Sequence, residues 1–170
     1  MISVFDLFKI GIGPSSSHTV GPMVAAKRFR DAVEALPAPA ARIAVELYGS
    51  LAWTGRGHGT DLAVGLGLLG ASPATIDPDS VAGLSADLAA TRRIALGEAS
   101  VRYDPASDLV FNFVDLLPGH SNGMNTAGPE WSAASSRAFG AVGGYGSRAP
   151  LRGPGMTRLA RSRHTRTGGS

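Results

Sequence analysis

After Met124 the chain stops carrying the apolar periodicity that a folded core needs. Asn125 to Ser170 holds nine glycines and seven arginines among scattered serines, and its large apolar residues (Trp131, Phe139, Tyr145, Leu151 and Leu159) stand isolated. Such a segment buries too little surface to offset the entropy of ordering it. The core of the 170 residues is therefore expected within 1–124, with 125–170 a disordered Gly/Arg/Ser-rich tail. Charge divides at the same place. Twelve Asp and Glu stand against nine Lys and Arg before it, whereas the tail sets one acid, Glu130, against seven arginines. The basic balance thus belongs to the tail and does not mark the domain as a nucleic-acid binder. A nucleic-acid-binding tail is the alternative, but its arginines and aromatics form no recognisable module, so nucleic acid is not an expected partner.

Within 1–124 the pattern is that of an α+β domain, a small mixed or antiparallel sheet with helices packed on it. Met23, Ala26, Phe29, Val33 and Leu36 recur at offsets of three and four between charged residues, which predicts a surface helix stopped by Pro37 and Pro39. Arg42 to Tyr48 alternates, with Ile43, Val45 and Leu47 on one side, and reads as a half-buried strand. Gly49 to Gly59 reads as a long Gly-rich connection, and Thr60-Asp61 as the cap of an apolar helix closed by Gly70. A second helix is expected to start at Asp77–Ser80. Short strands follow at Ile94–Leu96, Val101–Tyr103 and Leu109–Asp115, the last two joined by an Asp-Pro-Ala-Ser-Asp turn. Asn122-Gly123 is a hairpin signal, yet no second strand is expected after Met124. The longest apolar run, Leu62 to Ala71, is too short to span a bilayer, and Asp6 interrupts the place of a signal peptide. A cytoplasmic protein without a membrane partner is the expectation.

The densest chemistry lies in Gly11-Ile-Gly-Pro-Ser-Ser-Ser-His-Thr-Val-Gly-Pro22. Serine and threonine hydroxyls at a helix start, beside unpaired N–H groups, make a ready site for a carboxylate or phosphate. His18 adds a group that exchanges protons near neutral pH. Two more histidines sit in similar loops, Gly57-His58-Gly59-Thr60-Asp61 and Gly119-His120-Ser121-Asn122. Each alone would pass for a turn residue. Three out of three, each beside hydroxyl, amide or carboxylate groups, argue for one shared polar site. A three-histidine zinc site is one reading, which the spacings neither support nor exclude. The other, preferred because helix starts sit on the histidine loops, is a site for a small anionic substrate with a histidine moving protons.

These segments together resemble the N-terminal β-domain of the iron–sulfur-dependent L-serine dehydratases (L-serine ammonia-lyases). The match runs through Ser3 to Met23, Leu47 to Asp61, Asp104 to Leu109, and Leu116 to Met124, in the family's order. The resemblance implies conversion of L-serine to pyruvate and ammonia by β-elimination. It implies a [4Fe–4S] cluster held by three cysteines of an α-domain or α-subunit, which would be this chain's partner, and it allows a dimer. It also implies a fold similar to the allosteric substrate-binding domain of phosphoglycerate dehydrogenases. By position in the motifs, His18, His58, Thr60, Asp61, His120 and Asn122 are candidates for substrate contact or proton transfer, and Ser15, Ser16 and Ser17 for carboxylate binding.

Two departures from the family pattern stand out. The chain has no cysteine, so it holds no ligand for the cluster and is expected to be inactive alone. The switch after Met124 is what a truncation or frameshift in a GC-rich gene would give, a lineage-specific tail being the alternative. The competing function is a non-enzymatic regulatory module that binds a small carboxylate or phosphate.

Overall fold

The first long helix is built by the apolar stripe and held by a glycine on its neighbour. The computed structural model describes residues 15–36, 40–116, 121–127 and 137–140. Helix α1, Gly21–Glu34, buries Met23, Ala26, Phe29 and Val33 on one face. It is entered through a π-helical turn, Ser16–Val20, whose start is capped by the Ser15 hydroxyl accepting from the His18 N–H. Helix α1 lies against α3, Thr60–Leu68, which is buried from Ala63 to Leu68. A helix apolar on all sides belongs in an interior. Close approach is possible because α3 presents Gly67, where a Cβ would stand 2.3 Å from the Met23 carbonyl and 2.8 Å from the Ala26 Cβ.

Strand β1 is Ala44–Gly49 and the short helix α2 is Ser50–Thr54, followed by a 3-10 turn at Arg56–His58. The expected long connection over Gly49–Gly59 is therefore helical in most of its length. Gly49 makes the turn possible: its φ is +57°, and a Cβ there would stand 2.0 Å from the Ser121 carbonyl oxygen. Thr60 does not cap α3; Gly59, at φ +68°, holds that position and Thr60 is the first helical residue, fully buried. After a 3-10 turn at Pro78–Ser80 comes α4, Val81–Thr91, which buries Leu88. Strands β2 (Arg93–Leu96) and β3 (Ala99–Arg102) form a separate antiparallel ribbon.

The main sheet has the order β4-β1-β5-β6, with β4 at Leu109–Asn112, β5 at Asn122–Ala127 and β6 at Arg137–Gly140. Strand β4 runs parallel to β1, pairing Val45 with Leu109 and Leu47 with Phe111. Strand β5 runs antiparallel on the other side, pairing Leu47 with Met124. The expected alternation of β1 holds as far as Leu47, with Ile43, Val45 and Leu47 buried beside Met124 and Leu109 in the core; Tyr48, expected on the other side, is buried as well. The α+β class with small mixed sheets is what the sequence predicts.

The Asp104–Asp108 turn joins the two strands it was expected to join, and carries the chain from the β2–β3 ribbon to the edge of β1. The Asp108 carboxylate is fully buried there, accepting from the Arg42 guanidinium (Nε at 2.8 Å) and from the Asp104 N–H at 2.7 Å. Burial alone would raise its pKa, but Arg42 and the Asp104 N–H outweigh burial and hold it below the usual carboxylate value. One expectation about strands is corrected: a strand does continue past Met124. Asn125, Thr126 and Ala127 extend β5, and β6 pairs with it from Gly123↔Gly140 to Thr126↔Arg137. Neither β5 nor β6 has the apolar alternation that announces β1, so tertiary pairing decides them. The lead-in at Met1–Ile10, Gly119 and His120 of the third histidine loop, and the tail at 128–136 and beyond Gly140 lie outside the described residues. Among the described residues, no helix is long and apolar enough to cross a membrane.

The packing of α1 on α3 makes an opposed pair of substitutions informative. Gly67→Ala drives a methyl into the Met23 carbonyl and is expected to cost about 2 kcal/mol. Gly83→Ala, on α4 with nothing within 4 Å of the added Cβ, is expected to gain about 0.5–1 kcal/mol. Urea unfolding midpoints check both, and equal shifts in one direction would refute the close-packing account.

Candidate functional site

The π-helical turn and the turn before α3 are tied together by two buried threonines. The Thr19 hydroxyl donates to the His58 carbonyl at 2.9 Å, and the Thr60 hydroxyl donates to the His18 carbonyl at 2.5 Å. Each loop's histidine backbone is thus held by the other loop's hydroxyl. The two imidazoles end up side by side, ring centroids 5.0 Å apart and their planes tilted by 37°.

His18 is the centre of a polar chain. Its Nδ1 lies 2.8 Å from the Ser17 hydroxyl and its Nε2 lies 3.1 Å from the Ser50 hydroxyl. Ser50 Oγ donates in turn to the Asn122 Oδ1, and Ser15 Oγ is 3.2 Å from Ser17 Oγ. With its own proton given to Asn122, the Ser50 hydroxyl receives a proton from Nε2–H, which leaves Nδ1 to accept from Ser17. Neutral His18 is therefore held as the Nε2–H tautomer. His18 titrates below the ordinary histidine value, because burial disfavours the cation and the neighbouring His58 repels it; a backbone hydrogen bond at Ser50 opposes this only in part. His58 is fixed the other way round: its Nδ1 is 2.9 Å from the Thr54 carbonyl, an acceptor only, so Nδ1 carries the proton and Nε2 is the basic nitrogen of the neutral ring.

Strand β1 and helix α2 position Ser50, strand β5 positions Asn122, and the π-turn positions Ser15, Ser17 and His18. Ser16 starts the π-turn and is exposed. Thr60 contributes through the loop clamp and turns its hydroxyl to a carbonyl. Asp61 is exposed, its carboxylate accepting from the Leu62 N–H at 2.9 Å, and it borders a cavity of about 190 Å³ shared with Leu66, Ser85, Leu88 and Pro105. His18, His58, Asn122, Ser15 and Ser17 therefore come together, Asp61 does not join their hydrogen-bonded chain, and His120 lies outside the described residues. Sequence reasoning missed Ser50. Its signal was present in the second motif, Leu47-Tyr-Gly-Ser, directly after the alternating strand, but the stretch looked like a connecting loop. Among the described residues, no group of three His, Cys, Asp or Glu is placed to hold a metal ion; His120, the third histidine of the zinc reading, lies outside them.

Comparison with known proteins gives this cluster a context. The family described as "Serine dehydratase beta chain" matches residues 3–145. The chain belongs to that family. The match runs past Met124 and takes in β5 and β6. The chain is 50% identical over 126 residues to the L-serine dehydratase of Streptomyces coelicolor, covering 72% of this chain and 28% of that protein. It is 48% identical over 127 residues to L-serine dehydratase 1 of Escherichia coli (strain K12), covering 73% of this chain and 28% of that protein. With L-serine dehydratase 2 of the same organism the identity is 45% over 148 residues, 85% of this chain and 32% of the relative. The chain thus spans less than a third of the length of these serine dehydratases.

The mutual influence of the two rings is measurable. In His58→Ala the charge repulsion and part of the burial disappear, so His18 is expected to titrate at higher pH than in the intact protein, as followed by NMR of the ring C–H shifts. A midpoint that stays put or falls would contradict the close approach of the two rings. The sign for stability follows from the same shift. Folded His18 binds its proton less readily than unfolded His18, so its contribution favours the folded state above the ordinary histidine pKa. That contribution is lost as the pH falls through and below that value.

Proposed function

We propose that this chain supplies part of the active-site wall of an L-serine dehydratase. The reaction removes the α-proton and β-hydroxyl of L-serine as water, and the resulting aminoacrylate hydrolyses to pyruvate and ammonia. The observation that carries the reading is the Ser17–His18–Ser50–Asn122 chain facing His58, in a member of the serine dehydratase beta-chain family. The exposed Ser16 hydroxyl suits the substrate carboxylate directly, and Ser15 and Ser17 suit it once the substrate takes over the protons they now give within the chain. The imidazoles suit proton transfer: His18 stays neutral near pH 7, and His58 offers Nε2 while the Thr54 carbonyl orients its ring. His120 and Asn122, from the third loop, complete the proposed wall, with Thr60 holding the first two loops together. Asp61 is proposed for substrate contact on its motif position alone.

The family resemblance implies a [4Fe–4S] cluster, which would supply Lewis-acid chemistry at the substrate hydroxyl. The residues here do not fit it, since the chain contains no cysteine and offers no thiolate. Its ligands, in this reading, belong to an α-domain or α-subunit corresponding to the part of the relatives that this chain does not span, and the site works in the cytoplasm. A purely regulatory anion-binding module is the less favoured reading, because the relatives are named as dehydratases.

Supplied in trans to the Streptomyces coelicolor relative lacking its matching segment, this chain is expected to restore pyruvate release from L-serine. His18→Ala and His58→Ala are each expected to lower kcat by about 10²–10⁴. Pyruvate release by the purified chain alone, or full activity of both variants, would overturn the proposal.

A further inference from the structure

Among the described residues, the most exposed large apolar side chains cluster beside the polar site. Trp53 is 69% exposed, Phe113 49%, Val114 89% and Leu116 72%. They are not scattered. Trp53 and Phe113 meet edge to face at 5.0 Å, Phe113 stacks towards Phe111 at 6.5 Å, and the Arg56 guanidinium lies over the Phe111 ring at 4.7 Å. Isolated exposed apolar residues are ordinary, but a contiguous aromatic patch with an arginine on it has the composition of a protein interface core. The patch also has an edge to pair with, because among the described residues β4 is an outer strand of the sheet and its Val110 is 47% exposed.

Its position says what should cover it. Trp53 stands on α2, the helix that begins at Ser50, and Arg56 opens the turn that ends at His58. A Cβ on Gly49 would lie 3.5 Å from the Leu116 side chain, so the patch reaches the residue that precedes Ser50. A body docked on these aromatics would therefore overhang the His18–Ser50–Asn122 chain. The relatives carry more than two thirds of their length outside the portion this chain matches.

We infer that the surface formed by Trp53, Arg56, Phe113, Val114 and Leu116 docks the polypeptide corresponding to that remaining part of the relatives, seating it over the polar site. The occupant is a folded protein surface that is apolar at its centre and carries a carboxylate at its rim for Arg56. The inference rests on the functional reading above for the identity of the partner. Its own readout is binding, not turnover, so the two can fail separately.

The test co-expresses the full 170-residue chain with a tagged version of the Streptomyces coelicolor relative lacking its matching segment, and measures the affinity of the recovered complex. Trp53→Ser combined with Phe113→Ser is expected to weaken binding at least tenfold, with thermal unfolding confirming that the variant is folded. Val114→Lys, at a side chain almost wholly in solvent, leaves the core untouched and is expected to weaken binding in the same direction. His58→Ala, which alters the site but not the patch, should bind as the unaltered chain does even if turnover is lost. Absence of any complex with the unaltered chain overturns the inference, as does equal affinity of the patch variants. Sedimentation of the chain alone supplies the remaining outcome: a dimer that Val114→Lys converts to monomer assigns the patch to a second copy and overturns it too.

Discussion

Two threonine hydroxyls hold the candidate site in place. Thr19 and Thr60 are both buried, and each donates to the backbone carbonyl of the histidine in the opposite loop. A buried hydroxyl without a partner costs on the order of 1–3 kcal/mol, so each loop is satisfied only while the other stays in register. The pairing links the entry to α1 with the entry to α3, the same two helices that Gly67 lets approach closely. Local chain conformation, helix packing and ring placement are therefore one constraint. If the loops moved apart, the 5.0 Å approach of His18 and His58 would go with them.

Protonation state follows from that constraint. His18 is placed where its cation is disfavoured by burial and by a second imidazole, and its two nitrogens are committed to serine hydroxyls of opposite role. His58, with Nδ1 directed at a carbonyl, presents the other tautomer. Two adjacent histidines with different basic nitrogens give a site two chemically distinct proton acceptors from one residue type. The polar chain through Ser50 to Asn122 then connects this pair to the central strands of the sheet.

Much of this was legible in the residues, and the failures have physical causes. The stripe of Met23, Ala26, Phe29 and Val33 and the alternation of Ile43, Val45 and Leu47 announce α1 and β1 because burial follows the period of each element. The clustering of His18, His58 and Asn122 could be anticipated from loops rich in glycine and hydroxyls. The helix at Ser50–Thr54 could not, since glycines at both ends masked a turn that only Gly49 at positive φ permits. Ser50 was overlooked for that reason. The Asp104–Asp108 turn is announced by its Asp-Pro-Ala-Ser-Asp sequence, but the hold of its buried Asp108 carboxylate on the half-exposed Arg42, beside the edge of β1, is not. Strand β5 past Met124 carries Asn125 and Thr126 where apolar alternation would be sought. Its order comes from pairing on both sides, with β1 and β6.

The sheet order also bears on how a nascent chain can fold. Strand β1 leaves the ribosome early, yet both its neighbours, Leu109–Asn112 and Asn122–Ala127, emerge long after it. Helices α1 and α3 can meet across a short stretch, while β1 must keep both hydrogen-bonding edges open until the later strands arrive. Non-local pairing of this kind pays its loop-closure entropy before it is rewarded, and is slow for that reason. During synthesis the apolar face of Val45 and Leu47 is thus the segment most in need of shelter. A chain interrupted before Asn122 would leave one edge of β1, the one that β5 covers, permanently unpaired.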